Sequence, residues 1–218
     1  MKDFSPDRLA AEARRGGLRL DPGQAERLSR FVGILLVWAA KTNLIGPQAK
    51  ERLWEDHLAE ALWLEDYLSA GEPIADLGSG AGLPGLVLAC LAPARRIHLF
   101  ESRSKKSSFL TLASAELGLA NVRVFECRVP ASAPPEARGA YAQVVSRAAG
   151  PTKELLAPAG WLLREGGRLL MLKGPRGKEE LAEASELMTR QGWRLEDVVA
   201  ARLYGREKRL VRLIKTGP

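Results

Sequence analysis

Apolar residues recur at helical spacing through the first third of the chain, then give way after Pro73 to short apolar runs alternating with helical stretches. Residues 5–70 therefore read as helices. Asp21-Pro22 forms an N-cap and first-turn pair, and Leu28, Phe31, Leu35 and Trp38 return every three or four positions behind it. Gln48 to Leu68 is predicted as a further helix, with Leu53, His57, Leu58, Leu62 and Leu64 on or near one stripe. Strands are expected at 73–77, 96–101, 121–126, 141–146 and 167–173, and helices near 83–92, 104–117, 151–163 and 178–191. That alternation predicts a mostly parallel sheet covered on both faces. Two strand-like pieces, 194–203 and 208–215, read as an antiparallel C-terminal hairpin at the sheet edge. The expected organisation is an α/β domain over 71–218 preceded by a helical extension over 1–70, without internal repeats; 130–135 is a short loop.

With 218 residues, 46% of them hydrophobic, the chain can bury a full core. The longest apolar stretch, Phe31 to Ala40, is ten residues bounded by Arg30 and Lys41. A bilayer-spanning helix needs about 20, so a buried helix is expected and no membrane partner. The first residues carry no apolar signal core, and Cys90 and Cys127 make neither a disulfide framework nor a metal cluster, which fits a reducing cytoplasm. The net charge of +7 is unevenly placed. From Arg202 to Lys215 six basic residues face one acid, Glu207, and smaller basic groups fall just after strands, at Arg103, Lys105 and Lys106 and at Lys173, Arg176 and Lys178. Basic groups at strand ends favour a polyanionic partner over scattered solvated charge.

The run from Ile74 to Gly85 (IADLGSGAGLPG) reads as a buried strand breaking into a glycine turn and a helix. Gly80-Ala81-Gly82-Leu83-Pro84-Gly85 matches G-x-G-x-x-G, weak evidence by itself for a dinucleotide site. Asp76 ends the strand ahead of Gly78, and a carboxylate there orders the loop or faces an ammonium but repels a pyrophosphate. Glu101 closes the next strand, 23 residues after Gly78, where an acid accepts from ribose hydroxyls. S-adenosylmethionine, with an ammonium, a sulfonium and no phosphate, suits this set better than a nicotinamide dinucleotide. With only His57 and His98 and no acid–histidine spacing, no metal site is expected. His57 reads as a helix-packing residue or a cap over the loop; Trp38, Trp54, Trp63 and Cys90 read as core, and so does Cys127.

The chain resembles the bacterial small-subunit (16S) ribosomal RNA guanine-N7 methyltransferases, RsmG or GidB, over about residues 30–215. The resemblance rests on Trp38 with Asn43-Leu44, His57, the Asp76-to-Gly85 run, Lys105 with Phe109-Leu110, Leu117-Gly118-Leu119 with Asn121, Arg128, Ser146-Arg147-Ala148 and Lys173-Gly174. It departs from the family at Ala39, Asp56, Ala59-Glu60 and Pro130, where asparagine, arginine, Asp-Ser and glutamate are usual. It implies a Rossmann-like class I methyltransferase fold, S-adenosyl-L-methionine as cofactor, and 16S ribosomal RNA or the small ribosomal subunit as partner, with the enzyme a monomer. By resemblance, Asp76, Gly78, Gly80, Leu83, Glu101, Val129, Pro130 and Arg147 bind the cofactor. The resemblance likewise implies that Lys105, Arg128, Lys173, Lys208 and Arg209 contact RNA. Arg147 also positions the base, and its planar fork suits the cofactor carboxylate, guanine O6 or a phosphate alike.

Guanine N7 carries a lone pair and no proton, so methyl transfer to it needs no general base. The segment Ser146-Arg147-Ala148-Ala149 lacks the Asp/Asn-Pro-Pro-aromatic pattern of exocyclic-amine methylation. A small-molecule methyltransferase or a non-enzymatic RNA-binding Rossmann protein would share the loop, but the first leaves the basic tail idle.

Overall fold

A computed structural model of the chain describes residues 3–217. Its order is α1 (Pro6–Arg15), α2 (Pro22–Lys41), α3 (Pro47–Glu51), a π-helical turn (Trp54–Leu58), α4 (Ala59–Glu65), β1 (Ile74–Leu77), α5 (Gly85–Leu91), β2 (Ile97–Glu101) and α6 (Ser104–Glu116). There follow β3 (Val122–Glu126), a 3-10 turn (Pro135–Ala137), β4 (Tyr141–Arg147), α7 (Thr152–Leu162), β5 (Leu163–Lys173), α8 (Gly177–Arg190), β6 (Trp193–Leu203) and β7 (Arg206–Lys215). One seven-stranded sheet runs in the order β3-β2-β1-β4-β5-β7-β6. The first five strands are parallel, and β7 runs antiparallel to both β5 and β6, as the hairpin pattern predicts. Strand order reverses between β1 and β4, and ligands of open α/β sheets bind outside the carboxyl ends of the strands at such a switch point.

The N-terminal helices pack onto the sheet's own layers. Leu28, Phe31 and Leu35 of α2 belong to the same buried cluster as Leu86, Val87, Phe109 and Leu110 of α5 and α6, while α7 and α8 cover the opposite face. Polar side chains of α2 fasten this contact by donating to carbonyls that the helix ends leave free. Arg27 donates from Nε to the Cys90 carbonyl at 2.7 Å, Gln24 from Nε2 to the Leu91 carbonyl at 2.9 Å, and Arg30 to the Glu116 carbonyl at 2.8 Å. These are the last-turn carbonyls of α5 and α6, which have no intrahelical donors. The α2 start is the expected one: the Asp21 carboxylate accepts from Gln24 N at 2.8 Å while the Gln24 side chain accepts from Asp21 N at 2.9 Å.

Two expectations are corrected. The segment 48–68 is not one helix: α3 ends at Glu51 and a π-helical turn precedes α4. Such turns occur mostly within helices and frequently at functional sites, and this one carries Asp56 and His57. Strand β5 begins at Leu163, directly after α7, and its pairing with β4 is irregular between Tyr141 and Gln143. The glycine pair at 166–167 had obscured the strand signal there.

Candidate functional site

Beneath the glycine turn lies a buried carboxyl. Asp76, fully buried on β1, accepts from the backbone N–H of Gly85 at 3.0 Å through Oδ2, fixing the first residue of α5 to the end of the strand. A Cβ on Gly85 would collide with that same Oδ2 and with Leu99, so glycine is required there. Asp76 Oδ1 has no hydrogen-bond partner among the described residues. Burial pushes the Asp76 carboxyl up to about 7, against the lowering effect of the Gly85 N–H.

Above it, the Gly78 and Ser79 N–H groups both donate to the Phe100 carbonyl, at 2.9 and 3.1 Å, and tie the turn to β2. Glu101, buried at the end of β2, accepts from Gly80 N through Oε2 at 2.9 Å and from Arg103 N through Oε1 at 2.8 Å. A carboxylate offers about four acceptor sites, so two remain for hydroxyl donors. Gly78 has φ of +77°, and a Cβ there would come within 2.5 Å of the Ala149 side chain. Loop 148–150, beyond β4, thus rests directly on the glycine turn. Leu83 is buried behind the turn; at the end of β3, Val129 is buried, while Pro130 and Arg128 are exposed.

The same loop walls a cavity of about 710 Å³ at the ends of β4 and β5, lined by Ala148 and Gly150 together with Arg147, Lys173, Lys208 and Arg206. The π-helical turn supplies Asp56 and His57 to the opposite wall, and α4 supplies Glu60. The cations here are matched by acids. Arg147 donates from Nε to Glu60 Oε2 and from a terminal nitrogen to the Asp56 carbonyl, both at 2.6 Å. Lys208 pairs with the other Glu60 oxygen and with Asp56 Oδ1 at 3.0 Å. Asp56 Oδ2 further meets Arg52 at 2.8 Å and Arg206 at 3.4 Å. Burial raises the Asp56 pKa, but Arg52 and Lys208 outweigh it and hold the carboxyl below its ordinary value. Lys173 pairs with Glu180 at 2.7 Å and donates to the Gly150 carbonyl at 3.0 Å. Burial, reinforced by the Arg147 charge, lowers His57 to about 3, so it is a neutral imidazole near pH 7.

The structure thus gathers Asp76, Gly78, Gly80, Leu83 and Glu101 into one turn and places Arg147, Lys173 and Lys208 around one cavity next to it. Arg209 lies further along the hairpin, its guanidinium held by Glu207 at 2.6 Å and the Pro175 carbonyl at 2.9 Å. Lys105 and Arg128 stand exposed elsewhere on the strand-end face. Sequence reasoning missed the two acids that organise the cavity. Asp56 and Glu60 are two of the positions at which the chain departs from the family pattern, and that departure was their signal.

The family profile described as GidB, rRNA small subunit methyltransferase G, matches residues 24–209. The ribosomal RNA small subunit methyltransferase G of Halorhodospira halophila is 41% identical over 171 residues, 78% of this chain and 79% of that protein. Its namesake in Stenotrophomonas maltophilia is 36% identical over 217 residues, 98% of this chain and 97% of that one. Among solved structures, a SAM-dependent methyltransferase from Aquifex aeolicus superposes with a TM-score of 0.58 at 18% identity, covering 80% of this chain and 96% of that one. A variant of the 16S rRNA (adenine(1408)-N(1))-methyltransferase from Catenulisporales acidiphilia gives a TM-score of 0.55 at 14% identity, covering 74% and 92%. These structures establish the class I methyltransferase fold; the two long sequence matches and the profile go further, and the chain belongs to the rRNA small subunit methyltransferase G family of methyltransferases.

Proposed function

We propose that this protein methylates N7 of a guanine in 16S ribosomal RNA, with S-adenosylmethionine as donor. The residues at the β1 turn fit that donor. The turn carries two acids: Glu101, with acceptor sites to spare, suits a ribose diol, and Asp76 Oδ1, unpartnered among the described residues, is an acceptor that an ammonium group would satisfy. Gly78 and Gly80 keep the wall flat, and Leu83 backs it. Val129 and Pro130 flank the adenine; Pro130 has no N–H, so recognition at that point falls to backbone and apolar contact.

The cofactor supplies an activated methyl on a sulfonium. Asp76, Gly78, Gly80 and Glu101 would hold that group, and its methyl would pass to the guanine N7 lone pair with the C–S electron pair left on sulfur. No proton moves, and neutral His57 is not needed as a base. Positioning carries the catalysis, which can supply roughly 7–11 kcal/mol when the reacting atoms are aligned. The purine gains a positive charge as it is methylated. Asp56 and Glu60 hold Arg147 and Lys208 in fixed directions on the cavity wall, so that Arg147 presents its fork to the base or an adjoining phosphate.

The observation that carries the reading is loop 148–150. Ala149 rests on the glycine turn while its neighbours Ala148 and Gly150 line the basic cavity, so donor turn and acceptor cavity share one wall. Purified protein given donor labelled in the methyl group is expected to label 16S RNA from cells lacking this chain, and not RNA from cells that carry it. Equal labelling of both, or labelling of small molecules alone, would contradict it.

A further inference from the structure

A second cavity, of about 770 Å³, opens on the other side of α3, lined by the end of α2, residues 42–44 and the start of α6. Five of its lining residues are cations: Lys41, Lys50, Arg103, Lys105 and Lys106. No carboxylate lines it among the described residues. Lys50 donates to the Ala39 carbonyl at 2.6 Å, but Lys41, Arg103, Lys105 and Lys106 make no ion pair among the described residues, in contrast to the matched cations of the first cavity. Lys41, Arg103 and Lys105 are exposed. Helix α6 starts here without a side-chain cap, adding the positive end of its dipole to the same space. The cleft also reaches the donor turn, since the Lys106 ammonium lies 3.8 Å from where a Gly80 Cβ would stand.

We infer that this cleft holds the backbone phosphates of the RNA strand on one side of the target nucleotide. The inference rests on the proposed RNA substrate and adds a path for the strand. Helix α3 divides the two cavities, with Lys50 on the cleft side and Gln48, Ala49, Glu51 and Arg52 on the other. A strand crossing α3 puts its base into the acid-bearing cavity beside the donor and its adjoining phosphates among unpaired cations. Clustered cations with no neutralising acid repel one another, and a polyanion relieves that repulsion while releasing its counterions.

The test compares wild type with Lys41→Ala/Arg103→Ala, two exposed side chains outside the donor turn, using a single-stranded 16S RNA fragment. Binding is measured against salt, alongside methyl transfer and affinity for S-adenosylhomocysteine. Each lost phosphate contact lowers the slope of log K against log salt by about 0.7 for single strands, so the double variant is expected to lose about 1.4. KM for RNA should rise with kcat and S-adenosylhomocysteine affinity unchanged, and Lys41→Arg/Arg103→Lys should restore the slope. An unchanged slope and KM in a folded variant overturns the cleft. So does tight binding of inorganic phosphate or a mononucleotide that competes fully with the fragment, which would mark a small-anion pocket. Loss of the slope in a protein that methylates no RNA would keep the cleft and overturn the proposed reaction instead.

Discussion

The two cavities flanking α3 carry the same number of lysines and arginines and treat them in opposite ways. In the one under loop 148–150, Arg52, Arg147, Lys173, Arg206 and Lys208 each have a carboxylate partner in Asp56, Glu60 or Glu180. In the other, Lys41, Lys50, Arg103, Lys105 and Lys106 have none among the described residues. Pairing in a half-buried site holds cations in fixed directions and removes their field; leaving cations unpaired keeps the field and leaves the side chains mobile in solvent. The first arrangement suits a place where a base must be set at a defined angle. The second suits a place that attracts phosphates without reading sequence.

The sharpest way to break this contrast is Glu60→Ala. Glu60 and Lys208 have side chains 9% and 11% exposed, and removing the acid strands Arg147 and leaves Lys208 to Asp56 alone in a poorly solvated wall. Breaking such a pair is expected to cost about 3 kcal/mol in chemical denaturation, with a smaller loss for Glu60→Gln. Next in size, Arg147→Lys keeps the charge but not the planar fork that spans Glu60 and the Asp56 carbonyl. Methyl transfer should fall about 100-fold in kcat/KM with S-adenosylhomocysteine affinity retained. A third variant, His57→Gln, tests the burial of the paired cavity's wall. The folded pKa of His57, about 3, lies below its ordinary 6.5, so the unfolded chain takes up the proton first. Stability from this residue is therefore complete above pH 6.5 and is lost as pH falls toward 3. The variant should flatten the stability decline over that window. The smallest effect is expected for Lys41→Ala/Arg103→Ala, whose folding stability should stay within about 0.5 kcal/mol of wild type because these exposed side chains make no ion pair among the described residues.

Much of this was legible in the sequence because local pattern and global fold agree. The alternation after Pro73 gave five parallel strands and the antiparallel tail, and Asp76, Gly78, Gly80 and Glu101 came together because a strand–turn–helix unit fixes them by neighbours within 25 residues or so in the chain. What escaped was decided across long separations. Glu60 and Arg147 lie 87 residues apart, and Asp56 and Lys208 lie 152 apart. Helical periodicity marks Asp56 and Glu60 only as polar positions among Leu53, Leu58 and Leu62, and the π-helical turn that swings Asp56 into the cavity has no period of its own. Lys173 and Lys208 were expected to meet phosphate directly; their ammonium groups instead pair with Glu180 and with Asp56 and Glu60, which no charge count by segment reveals.

The central claim is that the shared wall of loop 148–150 brings a guanine N7 to the methyl donor. The direct measurement is to incubate the purified protein with S-adenosylmethionine and 16S RNA lacking the modification, then reduce the RNA with borohydride and treat it with aniline, which cuts the chain where guanine is methylated at N7. The account predicts one new cut that requires the enzyme and disappears with Arg147→Ala. Methylated RNA that resists this cleavage, or cuts that persist in that variant at the wild-type rate, would contradict it.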